Sequence, residues 1–248
     1  MISENRNGWV EVMLQQEHAA LSGECMKYWH HTTFKEQASW SSALQATARH
    51  DDAWKTLDEE PVLDESGWPV SFVRYPVPPK LGAYRNTINA LEEEDPYQAY
   101  LISSHYGSFF KESEVPEEIE FMQEEIARQQ RLIVGYQWNF LMAAEHFHLL
   151  QFFDDLSLYI CMNTPGASKE QEVPWFRDGF RQTFASLDHE TIHARWEDEE
   201  TIALQPFPFT ESFTVEVERR CVKQPLKAPG DLWNVKPDSR RVTLKPAE

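Results

Sequence analysis

The sequence predicts a mostly α protein: a helical bundle with a small C-terminal β-rich appendage. Three observations predict it. Apolar residues recur at helical spacing through most of residues 16–161. After about Pro174 the pattern shifts to two-residue alternation, as in Ile192, Ala194 and Trp196 and again in Ile202 and Leu204. The 248-residue chain, 41% hydrophobic with 9 Trp and 15 Phe, also has the apolar mass for a well-filled core. The expected division is a helical domain over 1–174 and an α+β extension over 175–248, packed together as one structural unit.

The elements follow in order. GWVEVMLQ (8–15) alternates like a short strand, and from Gln16 the apolar Ala20, Leu21, Met26 and Trp29 suit a helix. Ser39 is the expected N-cap of a helix through WSSALQATARH, ending near His50 and Asp51. DEEPVLDESGWPVSF (58–72) has the Pro, Gly and Asp of a loop. A helix covers part of 81–91, and Pro96 is a first-turn proline for the next, running through Tyr100 towards His105. Acidic residues open a helix over 117–133, and 137–161 is apolar enough for a buried central helix. A helix around Trp175–Phe184 then leads into a hairpin, TIHARW and TIALQPFPF across the acidic turn EDEE. FTVEVERRCV alternates again, and WNV and RVTL add short strands near the end.

The balance of 41 acidic against 23 basic residues gives a formal charge of −18, which repels a phosphate backbone and argues against a nucleic-acid partner. Runs such as LEEED (91–95) and EVPEEIE (114–120) read as solvated helix faces and turns. No stretch approaches the roughly 18 consecutive apolar residues of a membrane span, and MISENRNGWVEV lacks the regions of a signal peptide. A cytoplasmic location without membrane contact is expected. Cys25, Cys161 and Cys221 are odd in number and lack C-x-x-C spacing, so reduced thiols are expected.

Three arrangements compete as metal sites. HETIH (189–193) matches H-E-x-x-H, which requires a helix to place His189 and His193 on one face. In the expected strand context those residues lie roughly 13 Å apart, too far to share an ion. The second arrangement is E-x-x-H at Glu145/His148 and at Glu190/His193, the spacing of di-iron carboxylate bundles; only the first pair sits on an expected helix. The third is dispersed over helices: His18, His50 with Asp51, His105, and Asp154 in LLQFFDDLSLY. Two imidazoles and two carboxylates can hold a divalent transition metal with positions left for water or substrate. An Asp on so apolar a helix is costly to bury unless it is paired or ligating.

The dispersed order H, then HD at a helix end, then D resembles the HD-domain superfamily of helical metalloproteins, and so implies an HD-like bundle. More specifically, Q-x-x-H-A-x-L-S-G (15–23), H-D-D-x-W (50–54), S-x-H (103–105) and L-L-Q-x-x-D-x-L-S-L (149–158) resemble a bacterial family of unknown function. That resemblance runs over most of the chain, including P-F-P-F (206–209). It implies His18, His50, Asp51 and Asp154 as metal ligands, with Asp154 preferred to Asp155 by the D-x-L spacing. Ala53 stands where similar sequences carry Gly, making the turn after the doublet less permissive. HD enzymes with two metals have further histidines between doublet and last Asp; His105 fits that role, whereas His146 lies about 12 Å along the helix from Asp154.

The chemistry implied is metal-dependent hydrolysis of a phosphate ester or anhydride of a small molecule. The cofactor would be one divalent ion (Fe, Mn, Co or Zn), or two Fe. Asp52 or His105 would act as general base or acid, and Lys55, Arg49 and Lys111 are candidates for neutralising an anionic substrate. An alternative is a di-iron oxygenase anchored by His105, its apolar pocket lined by Trp54, Tyr106, Phe109 and Phe110. A regulatory protein that binds a metal or ligand without turnover is a third class. The β-rich tail is a candidate for covering the bundle, shaping the pocket or making a homodimer.

Overall fold

The chain begins with a strand that its polar residues conceal. In the computed structural model, which describes residues 1–6, 8–30, 35 and 37–248, ISENR forms β1 (Ile2–Arg6), antiparallel to β2 (Trp9–Met13). Ile2 is its one apolar side chain, so alternation does not announce it. Arg6 anchors it instead, donating to the buried Glu11 carboxylate of β2 at 2.9 Å.

Helices follow over α1 (Gln15–Met26), α2 (Ser39–Arg49), α3 (Trp54–Glu59), α4 (Val77–Glu94), α5 (Pro96–Ser108), α6 (Pro116–Gly135) and α7 (Phe140–Met162). Asp95 caps α5 by accepting from the Tyr97 and Gln98 N–H groups, and Asn139 caps α7 through Leu141 and Met142. Ser39 does not cap α2: Ala38 holds the cap position, already helical at φ −57° and ψ −31°, and Ser39 lies in the first turn with its hydroxyl on Met142. As its composition predicts, α7 is a central helix, buried almost continuously from Leu149 to Cys161 and packing against α1, α2 and α5.

The C-terminal strands are β3 (His193–Trp196), β4 (Thr201–Gln205), β5 (Phe213–Lys223) and β6 (Asp238–Pro246). WNV falls in a short 3₁₀ helix, Pro229–Asn234, and at its transition out, so it adds no strand. All six strands join one sheet in the order β1-β2-β5-β6-β4-β3, antiparallel except for the parallel pair β4/β6.

This sheet overturns the expected helical bundle with a small β appendage; the fold is mixed α/β. Strands from the two ends of the chain interleave, Trp9 opposite Lys223 and Val12 opposite Arg220. One face of the sheet belongs to the same core as the helices, where Ile202, Leu204, Val215, Val242 and Leu244 join Phe152 and Phe153 of α7. A second cluster, Val10, Val12, Val222 and Leu232, covers the other face around β2 and β5. Local alternation identifies a strand but says nothing of a partner some 200 residues away.

The expected helix at Trp175–Phe184 is also absent. Pro174–Phe176 and Ala185–Leu187 are short 3₁₀ turns, with irregular chain between them. Gly179 has φ +92°, and a Cβ there would lie 2.6 Å from Thr191 Cγ2. Beside it the Phe180 N–H donates to the Ile192 carbonyl at 2.9 Å, so the strap lies flat on the approach to β3. Among the described residues no helix is long and apolar enough to cross a membrane.

Candidate metal centre

Four elements bring one donor or more each to a single buried point. Gln15, His18 and Ser22 share a face of α1 at spacings of three and four residues. Glycine sets how near that face comes to α2: a Cβ on Gly23 would sit 2.4 Å from Ala48 Cβ, two residues before His50. His50 and Asp51 lie where α2 ends, His105 on α5 and Asp154 on α7. His18, His50, Asp51, His105 and Asp154 are all buried.

The surrounding hydrogen bonds fix which nitrogens carry protons. His50 Nδ1 donates to the Thr47 carbonyl at 2.8 Å, an acceptor in the last turn of α2 where intrahelical partners run out. His18 Nδ1 lies 2.6 Å from Ser157 Oγ, which itself donates to the Asp154 carbonyl at 2.9 Å and is therefore the acceptor from His18. Both rings thus turn a bare Nε2 inward, and the two Nε2 atoms face each other at 3.3 Å. Asp51 Oδ2 is 3.1 Å from His18 Nε2, and Asp154 Oδ1 is 3.3 Å from His50 Nε2. Gln15 Nε2 holds Asp51 Oδ2 at 2.8 Å, and the Gln15 backbone N–H is in turn held by Asp58 at 2.9 Å.

Lone pairs converging this closely require a cation. Ligands about 2.1 Å from one tetrahedral or octahedral ion are separated by about 3.0–3.4 Å, so these spacings fit shared ligation. Two overlapping triads have their ligand atoms within 4.8 Å of one another: His18, His50 and Asp51, and His50, His105 and Asp154. Without a metal, a proton fills the role. Burial disfavours an imidazolium at His50, but the Asp154 hydrogen bond and the charges of Asp154 and Asp51 outweigh it and push its pKa up to about 9. Burial opposes ionisation of Asp154 too, yet His50, His105 and His18 hold its carboxyl well below the usual range. Burial pushes His105 down to about 4, only partly countered by Asp154.

His105 stands apart, since neither of its ring nitrogens has a hydrogen-bond partner among the described residues. Its Nε2 is 3.7 Å from Asp154 Oδ2. It borders a cavity of about 370 Å³ whose floor is His18, Asp51 and Asp154. The walls are apolar: Trp54, Phe72 and Phe109 from the helical region, Trp175, Phe176 and Phe180 from the strap. The strap and the residues that hold the histidines escaped sequence reading. Gln15 and Ser157 were visible inside the quoted motifs, one turn from His18 and Asp154, but only as motif letters.

Other residues singled out in the sequence lie elsewhere. Asp52 pairs with Arg49 at 3.0 Å and with Lys55 at 2.9 Å, and none of the three borders the cavity. Lys111 and Phe110 line an outer cleft, and Tyr106 is buried against Tyr84. Asp155 turns from the donors to Arg181 and Gln182. Ala53 is helical at φ −59° and ψ −25°, a conformation that needs no glycine. HETIH is not a helix: Asp188 and His189 have φ of +52° and +58°, and His193 begins β3. Glu145 and His148 line a separate cleft on the far part of α7.

Among known proteins, no curated sequence and no solved structure matches the chain. One family model does, over residues 1–224, which is 224 of 248 residues. Its members are described as proteins of unknown function. A match of that extent takes in the histidine and aspartate donors, the strap and β5, and it places this chain in the DUF3891 family.

Proposed function

We propose that the protein is a metal-dependent hydrolase of HD-domain type that cleaves a phosphate ester or anhydride of a small molecule. What carries this reading is the convergence of bare Nε2 atoms and carboxylate oxygens of His18, His50, Asp51 and Asp154, three of which, His18, Asp51 and Asp154, border a largely apolar cavity. The cavity size, about 370 Å³, suits a small molecule. A divalent Fe, Mn, Co or Zn ion held there would supply Lewis acidity, polarising a phosphoryl oxygen and acidifying water.

The chain's own residues supply the rest. Thr47 and Ser157 fix the two imidazoles, and Gln15 fixes Asp51. His105, neutral at pH 7, takes up the proton of the attacking water at a ring nitrogen. Asp52 is already occupied by Arg49 and Lys55, which leaves the base to His105. The aromatic walls exclude bulk water from the reacting group.

Metal analysis of protein purified without added metal tests the reading. About one transition-metal ion per chain is expected, with hydrolysis of a generic phosphate ester, both lost in His50→Ala and Asp154→Ala. A second reading, a di-iron oxygenase, has one observation in its favour: the triad of His50, His105 and Asp154 offers ligands for a further ion. Two irons per chain with an oxygen-dependent spectral change would replace the hydrolase by that oxygenase. Stoichiometric metal with no turnover of either kind would leave a binding protein.

A further inference from the structure

The cavity has a mouth, and its chemistry differs from that of its floor. A cleft of about 670 Å³ shares His105, Phe109, Asp154, Trp175 and Arg181 with the inner cavity and adds Lys80 and Lys111. Three cations therefore gather at one opening of a chain whose formal charge is −18. Lys80 and Lys111 form no ion pair among the described residues. Lys80 lies over the Phe110 ring at 5.6 Å, and burial pushes its ammonium pKa down, only partly countered by the charge of Glu118, which also lines the cleft.

Arg181 is set up differently. Its Nε and Nη2 donate to the Asp155 carboxylate at 3.3 Å and 3.0 Å, which fixes the plane of the guanidinium. Its Nη1 makes no hydrogen bond among the described residues, and the side chain is 73% exposed, so one edge of the fork remains open to a ligand. Of the acids nearby, Asp155 is held by Arg181 and Gln182 and Asp154 by the histidines, while Glu118 accepts from the Ser113 hydroxyl and acts on Lys80 across the cleft. Among the described residues no carboxylate lies within ion-pair distance of either lysine, so the mouth has room for an anion that enters from outside.

We propose that Lys80, Lys111 and Arg181 form a subsite for a second anionic group of the substrate, remote from the reacting one. The substrate class is then a flat apolar body seated between Phe72, Phe109 and Trp175, with its reacting end at the histidines and an anionic carboxylate, sulfonate or phosphate tail at the mouth. The reacting end rests on the metal-centre reading; the mouth does not, and it can be probed alone.

Two dyes that differ by one sulfonate provide the probe: 1-anilinonaphthalene-8-sulfonate and neutral N-phenyl-1-naphthylamine. The folded full-length protein should bind the sulfonated dye at one site about tenfold more tightly than the neutral one, with affinity falling as salt rises. Lys80→Gln and Lys111→Gln should each weaken the sulfonated dye several-fold, and together at least tenfold, leaving the neutral dye unchanged. Arg181→Lys keeps the charge opposite Asp155 and should lower affinity less than the double variant. Equal binding of the two dyes, or a sulfonated-dye affinity indifferent to both lysines, overturns the proposal. So does loss of that binding in Phe140→Ser/Leu141→Ser, which alters an exposed apolar patch elsewhere. His50→Ala, which removes a metal ligand, should keep the lysine-dependent dye site; its loss of metal uptake alone would bear on the hydrolase reading and not on the mouth.

Discussion

At the residue scale, the site's protonation follows from two small acceptors, the Thr47 carbonyl and Ser157 Oγ, which commit both Nδ1 protons and leave both Nε2 atoms facing inward. Metal and proton then compete for His50. With the metal-free pKa near 9, the ring is protonated at pH 7, so uptake of a divalent ion should release a proton. Metal affinity should rise about tenfold per pH unit up to about pH 9 and then level. Calorimetric titration in two buffers of different ionisation enthalpy measures both, and a pH-independent affinity without proton release would contradict a protonated His50 in the metal-free protein. The same shift acts on stability. A histidine whose folded pKa is raised contributes stability below its unfolded pKa and loses it as pH climbs through the folded value. Metal-free protein should therefore weaken between about pH 6.5 and 9 while the metal-bound form does not, widening the difference in Tm between them. Ser157→Ala and Gln15→Ala, which disturb only the holders of ligands, should lower metal affinity about 10- to 100-fold.

At the element scale, most helices were legible because they carry their period, caps or prolines in a short window, as with Pro96 opening α5 and the long apolar run of α7, whereas the six-residue α3, ending inside the expected loop, was not. The donors were legible for the same reason, since each sits in a local motif. What held them together was not. That Gly23 is the point where α1 touches α2 is a fact about Ala48, 25 residues on, and no local pattern carries it. A side chain there meets Ala48 backbone as well, with Cα at 2.8 Å, so the helices must part rather than a rotamer turn. Gly23→Ala should cost about 1–3 kcal/mol and weaken metal binding by moving His18 from His50. Gly82 on α4 is the control: a Cβ there meets nothing within 4 Å, and Gly82→Ala should stabilise by about 0.5–1 kcal/mol with metal affinity unchanged. Thermal melts and metal titrations of the two variants compare them directly; equal effects would remove the packing argument. The strap misled in the opposite way, because Trp175 to Phe184 has helix-like apolar spacing that Gly179, close against Thr191, does not let form.

At the scale of the whole molecule, the sheet ties together what the sequence divides. The boundary after residue 174 follows a real change of pattern, but β2, before the boundary, pairs with β5, after it. Trp29, just past the end of α1, is fully buried, bridged to Phe209 and packed against Phe184. Three aromatic walls of the cavity, Trp175, Phe176 and Phe180, also lie past the boundary. A fragment of residues 1–174 would keep every proposed metal ligand yet expose Val10, Val12 and Trp29, at a cost of about 1.5–3 kcal/mol for each large side chain uncovered. Against the marginal stability of folded domains, about 5–15 kcal/mol, such losses are decisive. The fragment should therefore show helical far-UV dichroism without fixed near-UV aromatic signals, and it should bind metal weakly or not at all. A fragment that melts cooperatively and binds metal as the full chain does would mean that the helices hold the donors without the sheet, and that the C-terminal strands serve the cavity and its mouth alone.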